Sequence, residues 1–502
     1  MQLHTPTQAA QWLGAHVRGT LRSDSRQLQP GDGFIAWPGA ATDGRNFIDS
    51  ALASGAGACL VEHEGIAAFG FGAGEVATYA GLKSDTGAIA SEFFGHPSRE
   101  LDVIAVTGTN GKTSTAWWLA QALEHARRPA GMIGTLGVGR PPSALVPTGL
   151  TTPDPVQVQQ SLRNFVDQGL RACAMEASSI GIEEHRLDGT DIRVAIFTNF
   201  TQDHMDYHGS MDAYWESKRR LFDWAGLRGV VVNLDDVRGV ELAQSLQERT
   251  SSQIDSATDL WTISCQRDAR LVAKDIQHAA QGVRFTVAEG GEAHVLQTRV
   301  IGSYNVSNLL GVVAALRSLG VTLADAVQAC ADLLPVPGRM ECVGAPGQPL
   351  VAVDYAHTPD ALAHALAALR PLVQARGGQL WCVFGCGGDR DAAKRPLMGA
   401  IAAKLADRVV VTSDNPRGEK PEAIIAQILL GLPQSASVQV QSDRAVAIAQ
   451  TVADASDRDV VLLAGKGHEQ TQEIAGTKTP FSDVEHARQA LALRGTAPEA
   501  SA

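Results

Sequence analysis

Short apolar runs that end in glycine and polar residues recur along the chain, separated by longer helix-forming stretches. The run 103–107 is β-branched and apolar. It leads into Gly108-Thr-Asn-Gly-Lys-Thr-Ser114, and a helix-forming stretch follows from Ala116 to Arg127. That order predicts a strand, a phosphate loop and a helix. Buried strands are also predicted at 171–176, 194–199 and 230–233, a helix over 211–224, a less regular β stretch over 251–300, and an apolar helix opening near 301–310. Near the start, 34–37 and 58–61 read as strands and 51–55 as helical. Beyond 339 the alternation becomes regular: strands at 350–354, 380–384, 409–412, 438–441 and 460–463, with helices from Pro359, Lys394, Pro421, Arg444 and Asp483. Such alternation implies a mostly parallel, doubly wound sheet.

Gly and Pro punctuate 93–98, and Leu334-Pro-Val-Pro-Gly-Arg339 is the clearest linker. The expected organisation is α/β in three domains. A small N-terminal α/β domain covers 1–98, a central P-loop domain with a mostly parallel sheet covers 99–338, and a Rossmann-like domain covers 339–502. Length agrees, because 502 residues are too many for one core. The chain is 44% hydrophobic and 19% charged, an ordinary α/β composition. A net charge of −12 argues against nucleic acid or an anionic membrane as the main partner. Seven scattered Cys read as reduced thiols, with Cys382 and Cys386 as core residues. With neither a signal peptide nor an apolar run of membrane-spanning length, a cytoplasmic protein is expected.

The candidate chemistry sits at the strand ends. Backbone N–H groups of 108–114 can cradle polyphosphate, Lys112 can meet β/γ oxygens, and the Thr113 or Ser114 hydroxyl can sit on Mg²⁺. The spacing departs from the long P-loop, since Val106 stands where that form needs Gly. Glu176 closes a buried strand and reads either as a Mg²⁺ ligand or as a capping carboxylate. The loop 200–209 carries two His and two Asp within six residues, which suits a hard cation better than zinc. Adjacent threonines at 151–152 offer hydroxyls. Asn305 and Asn308 share a helix face, either to read a purine or to cap the helix. Ser25, Arg26 and Thr42 can bind an anion or serve as turn residues. The helical spacing alone gives Lys218 no role. The loops 385–391, 413–417 and 464–469 follow parallel strands and can converge on one ligand. Arg390 and Arg417 suit a carboxylate, and Asp414 and Glu469 suit an ammonium, so an amino-acid zwitterion fits.

Together, Gly108-Thr-Asn-Gly-Lys-Thr-Ser, Glu176-Ala-Ser-Ser, the run 198–209, Tyr304-Asn-Val-Ser-Asn, Val336-Pro-Gly-Arg-Met-Glu and Asp354-Tyr-Ala-His-Thr-Pro-Asp resemble the Mur ligases of peptidoglycan synthesis. The resemblance spans essentially the whole chain and is closest to the MurE branch, which adds the third residue of the stem peptide. Asp414-Asn-Pro-Arg417 resembles that branch's signature for meso-diaminopimelate. The resemblance implies an ATP-dependent, acyl-phosphate-forming ligase that is a monomer and takes UDP-MurNAc-L-Ala-D-Glu, meso-diaminopimelate and ATP with Mg²⁺. It implies UDP contacts from Ser25, Thr42 and the backbone of Ala40 and Ala41. Thr151, Thr152, Ser178, Glu184 and Arg186 match the muramoyl-dipeptide positions, with Glu184 standing where some relatives carry Gln. Gly108, Thr109, Asn110, Gly111, Lys112, Thr113, Ser114, Asn305, Asn308, Arg339 and Asp354 match the ATP positions. Arg390, Asp414, Asn415, Pro416, Arg417, Gly465 and Glu469 match the diaminopimelate pocket. Lys218 matches a lysine that the family carbamylates with CO₂. Thr113, Glu176, His204 and that carbamate form the implied metal set, and Lys112, Lys218, His204 and Glu176 the implied catalytic set. The rivals are another ligase of this architecture, or a nucleotide-switch protein with no use for the three C-terminal loops.

Overall fold

The computed structural model describes residues 1–39, 42–71, 74–143, 145–251, 258–279, 282–433 and 438–494. Three sheets organise it. The first has five parallel strands in the order Gln2–Leu3, Val76–Tyr79, Ala58–Glu62, Gly33–Ala36, Leu21–Arg22. Ala40 and Ala41, expected to offer backbone contacts, lie outside the described residues.

The central sheet has ten strands, with Asp102–Thr107 between Val194–Phe197 and Ala172–Glu176. Val103, Ile104, Ala105 and Val106 are all fully buried, as a parallel strand covered on both faces requires. Alternate residues feed two cores. Ile104 and Val106 meet Trp117, Leu309 and Val313, while Val103 and Ala105 meet Phe165 and Phe222 in the opposite cluster. Each fully buried Val, Leu or Phe contributes roughly 1.5–3 kcal/mol, so the strand is held from both sides. The helix after the loop, Lys112–His125, begins four residues earlier than the apolar pattern indicates, because the left-handed Gly111 (φ 85°) ends the loop directly at Lys112. The irregular stretch 251–300 extends this same sheet. Asp259–Ser264 pairs parallel to Gly229–Asn233, Leu271–Ala279 pairs parallel to Asp259–Ser264, and Gly282–Glu289 and Glu292–Thr298 add antiparallel strands.

The last sheet has six strands in the order Glu341–Val343, Leu350–Asp354, Val460–Ala464, Leu380–Phe384, Arg408–Val411, Val438–Val440, all parallel except the first. Helices start at Pro359, Lys394, Pro421, Arg444 and Asp483, as the sequence pattern indicates. A hairpin, Thr471–Ile474 with Thr477–Pro480, lies beyond what that pattern reveals. Strand ends of the central and last sheets face one another across a cleft, which places their polar loops together.

Candidate active site

The phosphate loop is shaped by close approach. Gly108 (φ 145°) has no room for a side chain, since a Cβ would run into Thr198 Oγ1. A Cβ on Gly111 would lie 2.5 Å from Asn308 Oδ1. The loop is pinned from the neighbouring strand end: Asn110 N donates to Asn199 Oδ1 at 2.8 Å and Thr109 N to Asn199 O at 2.8 Å. Lys112 Nζ donates to Gly108 O at 2.8 Å and Thr109 O at 2.9 Å, so it lies folded over the loop.

Lys218 lies beside it. Its helix, Met211–Arg219, carries it inward until it is fully buried. Its Nζ donates to the same Gly108 O at 2.8 Å and lies 4.5 Å from the Tyr214 ring. Burial, and then the charge of Lys112, push its pKa well below the ordinary lysine value. Glu176 is also fully buried. It accepts Thr113 Oγ1 at 2.9 Å, Thr135 N at 2.7 Å and Thr135 Oγ1 at 3.2 Å. Arg339 reaches from the linker to Thr113 Oγ1 at 3.3 Å and stacks 4.3 Å over Tyr355, while its buried Nε has no hydrogen-bond partner among the described residues.

Ser114, Asn305, Asn308 and Asp354 line a cavity of about 520 Å³ with Asn110, Gly111 and Arg339. Asn305 Nδ2 donates to Ile301 O at 2.7 Å and Asn308 Nδ2 to Asn305 Oδ1 at 2.9 Å. Asp354 accepts Met340 N at 2.7 Å and Ala356 N at 2.9 Å, and burial raises its pKa.

His204 is half-exposed and left-handed (φ 54°), with Nε2 3.6 Å from Asp203 Oδ2; burial lowers its pKa to about 4. Among the described residues, no three or more His, Cys, Asp or Glu side chains gather closely enough to hold a metal ion. Thr113 and Glu176 stand in contact beside the loop, with Lys218 and Lys112 on the shared Gly108 carbonyl.

A second cavity, about 530 Å³, opens from His204 to the last sheet and is lined by Arg390, Asp414, Asn415, Arg417, Gly465 and Glu469. The three strand-end loops thus converge. Pro416 is buried behind the cavity and does not line it. Arg417 donates to Gly388 O at 2.9 Å, and Arg390 to Asp389 O at 3.2 Å. Glu469 Oε2 accepts both Lys466 Nζ and Asn415 Nδ2 at 2.7 Å. Burial raises the pKa of Asp414.

Thr151, Thr152, Ser178 and Arg186 are joined to the Glu176 strand end. Thr152 Oγ1 donates to Glu176 O at 2.8 Å and accepts Ser178 N at 3.0 Å. Arg186 donates to Thr152 O at 3.0 Å, and Thr135 Oγ1 to Thr151 Oγ1 at 3.0 Å. Glu184 is engaged by Lys83 Nζ and Tyr207 OH, each at 2.7 Å. Ser25 opens a short turn, Ser25–Gln27, and Thr42 O accepts Gly39 N at 3.0 Å; neither residue lines the two cavities.

Family models match in three segments: Mur ligase family, catalytic domain at 20–86, Mur ligase middle domain at 106–316, and Mur ligase, glutamate ligase domain at 338–467. The chain is 62% identical to the UDP-N-acetylmuramoyl-L-alanyl-D-glutamate--2,6-diaminopimelate ligase of Acidovorax sp. (strain JS42), over 98% of this chain and 99% of the relative. The chain belongs to the Mur ligase family. A relative of the same name from Janthinobacterium sp. (strain Marseille) is 46% identical over 96% of each chain. A solved structure bearing that ligase name superposes with a TM-score of 0.65 at 34% identity, covering 95% of each chain. MurF from Acinetobacter baumannii, at 18% identity and a TM-score of 0.65, shares the fold.

This Mur ligase chain also brings Asp235, Tyr304 and His364 into the first cavity, and places fully buried Lys466 behind the second. Asp235 follows a strand end visible in the sequence. Lys466 lies in the loop 464–469, whose only legible cue was its glycine-rich polarity.

Proposed function

We propose that the chain joins meso-2,6-diaminopimelate to UDP-MurNAc-L-Ala-D-Glu at the expense of ATP, in the synthesis of peptidoglycan precursors. The observation that carries this reading is one cleft with a phosphate loop and Lys112 on one wall and a pocket of both charges, Arg417 with Asp414 and Glu469, on the other. The names of the relatives agree with it. In this reading residues 1–98 hold the UDP end through Ser25, Thr42 and their neighbours, 99–338 hold ATP, and 339–502 bring the amino acid.

A carboxylate and an ammonium do not condense in water, so the acid must be activated. The γ-carboxylate of the D-Glu unit attacks the γ-phosphate of ATP, giving an acyl phosphate and ADP. Lys112, released from its loop carbonyls, offsets the charge that develops on the phosphoryl oxygens. The deprotonated amine of diaminopimelate, oriented by Arg417 and Arg390 on a carboxylate, attacks the acyl carbon. The tetrahedral intermediate loses phosphate and a proton to give the amide. No protein nucleophile is required; positioning and electrostatics carry the rate.

The residues fit Mg²⁺: Thr113 and Glu176 are buried hard oxygen donors already in contact with each other. When bound, the ion neutralises negative charge on the phosphate oxygens. Lys218, whose pKa burial lowers, suits carbamylation. Its amine nitrogen bonds to the carbon of CO₂ and releases a proton, leaving an anionic ligand beside the loop. His204, near enough to feel the charges of Lys112 and Lys218, completes the set in this reading. No helix among the described residues is long and apolar enough to cross a membrane. We propose a cytoplasmic monomer.

The test is phosphate release from ATP with UDP-MurNAc-L-Ala-D-Glu and Mg²⁺, comparing meso-diaminopimelate, L-lysine and no amino acid. Release only with diaminopimelate is expected. Release with lysine keeps the ligase and overturns the role of Arg417. Undiminished release with no amino acid overturns the ligase reading in favour of a nucleotide switch.

A further inference from the structure

The loops 413–417 and 464–469 follow strands that are not neighbours, because Leu380–Phe384 lies between Arg408–Val411 and Val460–Ala464. Sheet hydrogen bonds therefore do not fix one loop against the other directly. Yet the two loops touch closely: a Cβ on Gly465 would run into Asp414 Oδ2. Side chains link them on the pocket side, where Asn415 donates to Glu469 Oε2 at 2.7 Å and accepts Lys466 Nζ at 3.0 Å; their backbones are joined from behind.

Arg444 occupies that place. It opens the helix Arg444–Asp454, its side chain is fully buried, and it does not line the pocket. Its Nη1 donates to Ser413 O at 3.1 Å and its Nη2 to Ala464 O at 3.0 Å. Ser413 and Ala464 directly precede Asp414 and Gly465. The remaining edge of the guanidinium forks onto Asp483, Nε to Oδ1 and Nη2 to Oδ2, each at 2.7 Å, and Asp483 is also fully buried. A planar fork can hold a carboxylate and two carbonyls at once, which a lysine ammonium on a flexible stem does not reproduce. A buried ion pair is often replaceable by apolar packing without loss of stability, so stability alone is a weak account of this one.

We infer that Arg444 is a positioning residue of the amino-acid pocket, bracing the loops 413–417 and 464–469 against each other, with Asp483 orienting it. This rests on the proposed role of that pocket in binding diaminopimelate.

Three variants test it in steady-state assays with ATP, UDP-MurNAc-L-Ala-D-Glu and meso-diaminopimelate, alongside thermal melting. Arg444→Met removes both carbonyl contacts and is expected to raise the diaminopimelate KM about tenfold or more, with the ATP KM within about twofold. Asp483→Asn leaves both carbonyl contacts in place, so it should raise the diaminopimelate KM less than Arg444→Met does, even at a similar loss of Tm. Arg444→Lys keeps the charge but loses the fork; it should raise the same KM, and it keeps the test open if Arg444→Met does not fold. An unchanged diaminopimelate KM in Arg444→Lys, or diaminopimelate and ATP KM values that rise together in step with falling Tm, would overturn the inference while leaving the proposed function standing. A wild-type enzyme whose phosphate release ignores diaminopimelate would overturn both.

Discussion

Lys218 and Lys112 donate to one carbonyl oxygen, Gly108 O, each at 2.8 Å. Two ammonium groups that close repel, and the one wholly removed from water is the one that gives up its proton more readily. Burial and the neighbouring Lys112 both lower the pKa of Lys218, which favours its neutral amine next to the phosphate loop. Lys218→Ala is expected to lose most of the ligase rate, with partial recovery on adding a short-chain carboxylate that takes the place of the proposed carbamate. Steady-state rates with and without acetate decide this, and near-normal activity in the unsupplemented variant would sink the carbamate role. Little of this was legible locally. Lys218 lies on a helix at no telling spacing, and its partner is 110 residues away. Family resemblance pointed to it; only the fold shows why its chemistry differs from that of a solvated lysine.

At the scale of elements, the strand-end loops were the most legible part of the chain. Leu350–Asp354 and Leu380–Phe384 lie where the apolar runs put them, because a parallel strand buried on both faces must be a continuous apolar run. The hairpin Thr471–Ile474 with Thr477–Pro480 was not legible, since its residues are mostly exposed and leave no apolar alternation. The stretch 271–289 looked irregular for a related reason: its register shifts between Lys274 and Gln277. The hairpin matters for the site because it holds Arg417. Arg417 N donates to Glu473 O at 3.0 Å and Ala475 N to Arg417 O at 2.8 Å, which steadies a left-handed residue (φ 53°) whose guanidinium enters the pocket. A charge-assisted contact from that guanidinium to a ligand carboxylate is worth about 1.5–3 kcal/mol, so Arg417→Ala should raise the diaminopimelate KM roughly ten- to a hundredfold. The ATP KM should stay nearly constant. Equal rises in both would mean that Arg417 supports the cleft as a whole and does not bind the amino acid.

Across the whole molecule, the chemistry depends on two sheets meeting at one cleft. Few direct contacts span it: Asn110 Nδ2 donates to Asp360 Oδ2 at 3.1 Å, and Arg339 reaches Thr113 at 3.3 Å. The linker itself is held on the central side, where Trp118 Nε1 donates to Leu334 O at 3.1 Å. On the other side Gly338 (φ 64°) is pressed against the loop 464–469, and a Cβ there would run into His468 N. Gly338→Ala therefore carries two penalties, a strained backbone and a clash that pushes the linker away from the pocket loop. The displacement separates the nucleotide wall from the amino-acid wall without altering a side chain on either. Gly338→Ala should accordingly raise the KM of both ATP and diaminopimelate and lower kcat, unlike Arg417→Ala. A loosened cleft also admits water to the acyl phosphate before the amine arrives, so phosphate release should outrun amide formation. Parallel measurement of phosphate and of the tripeptide product reads this directly. A ratio that stays at one, with unchanged KM values, would show that the linker's approach to the 464–469 loop plays no part in closing the site.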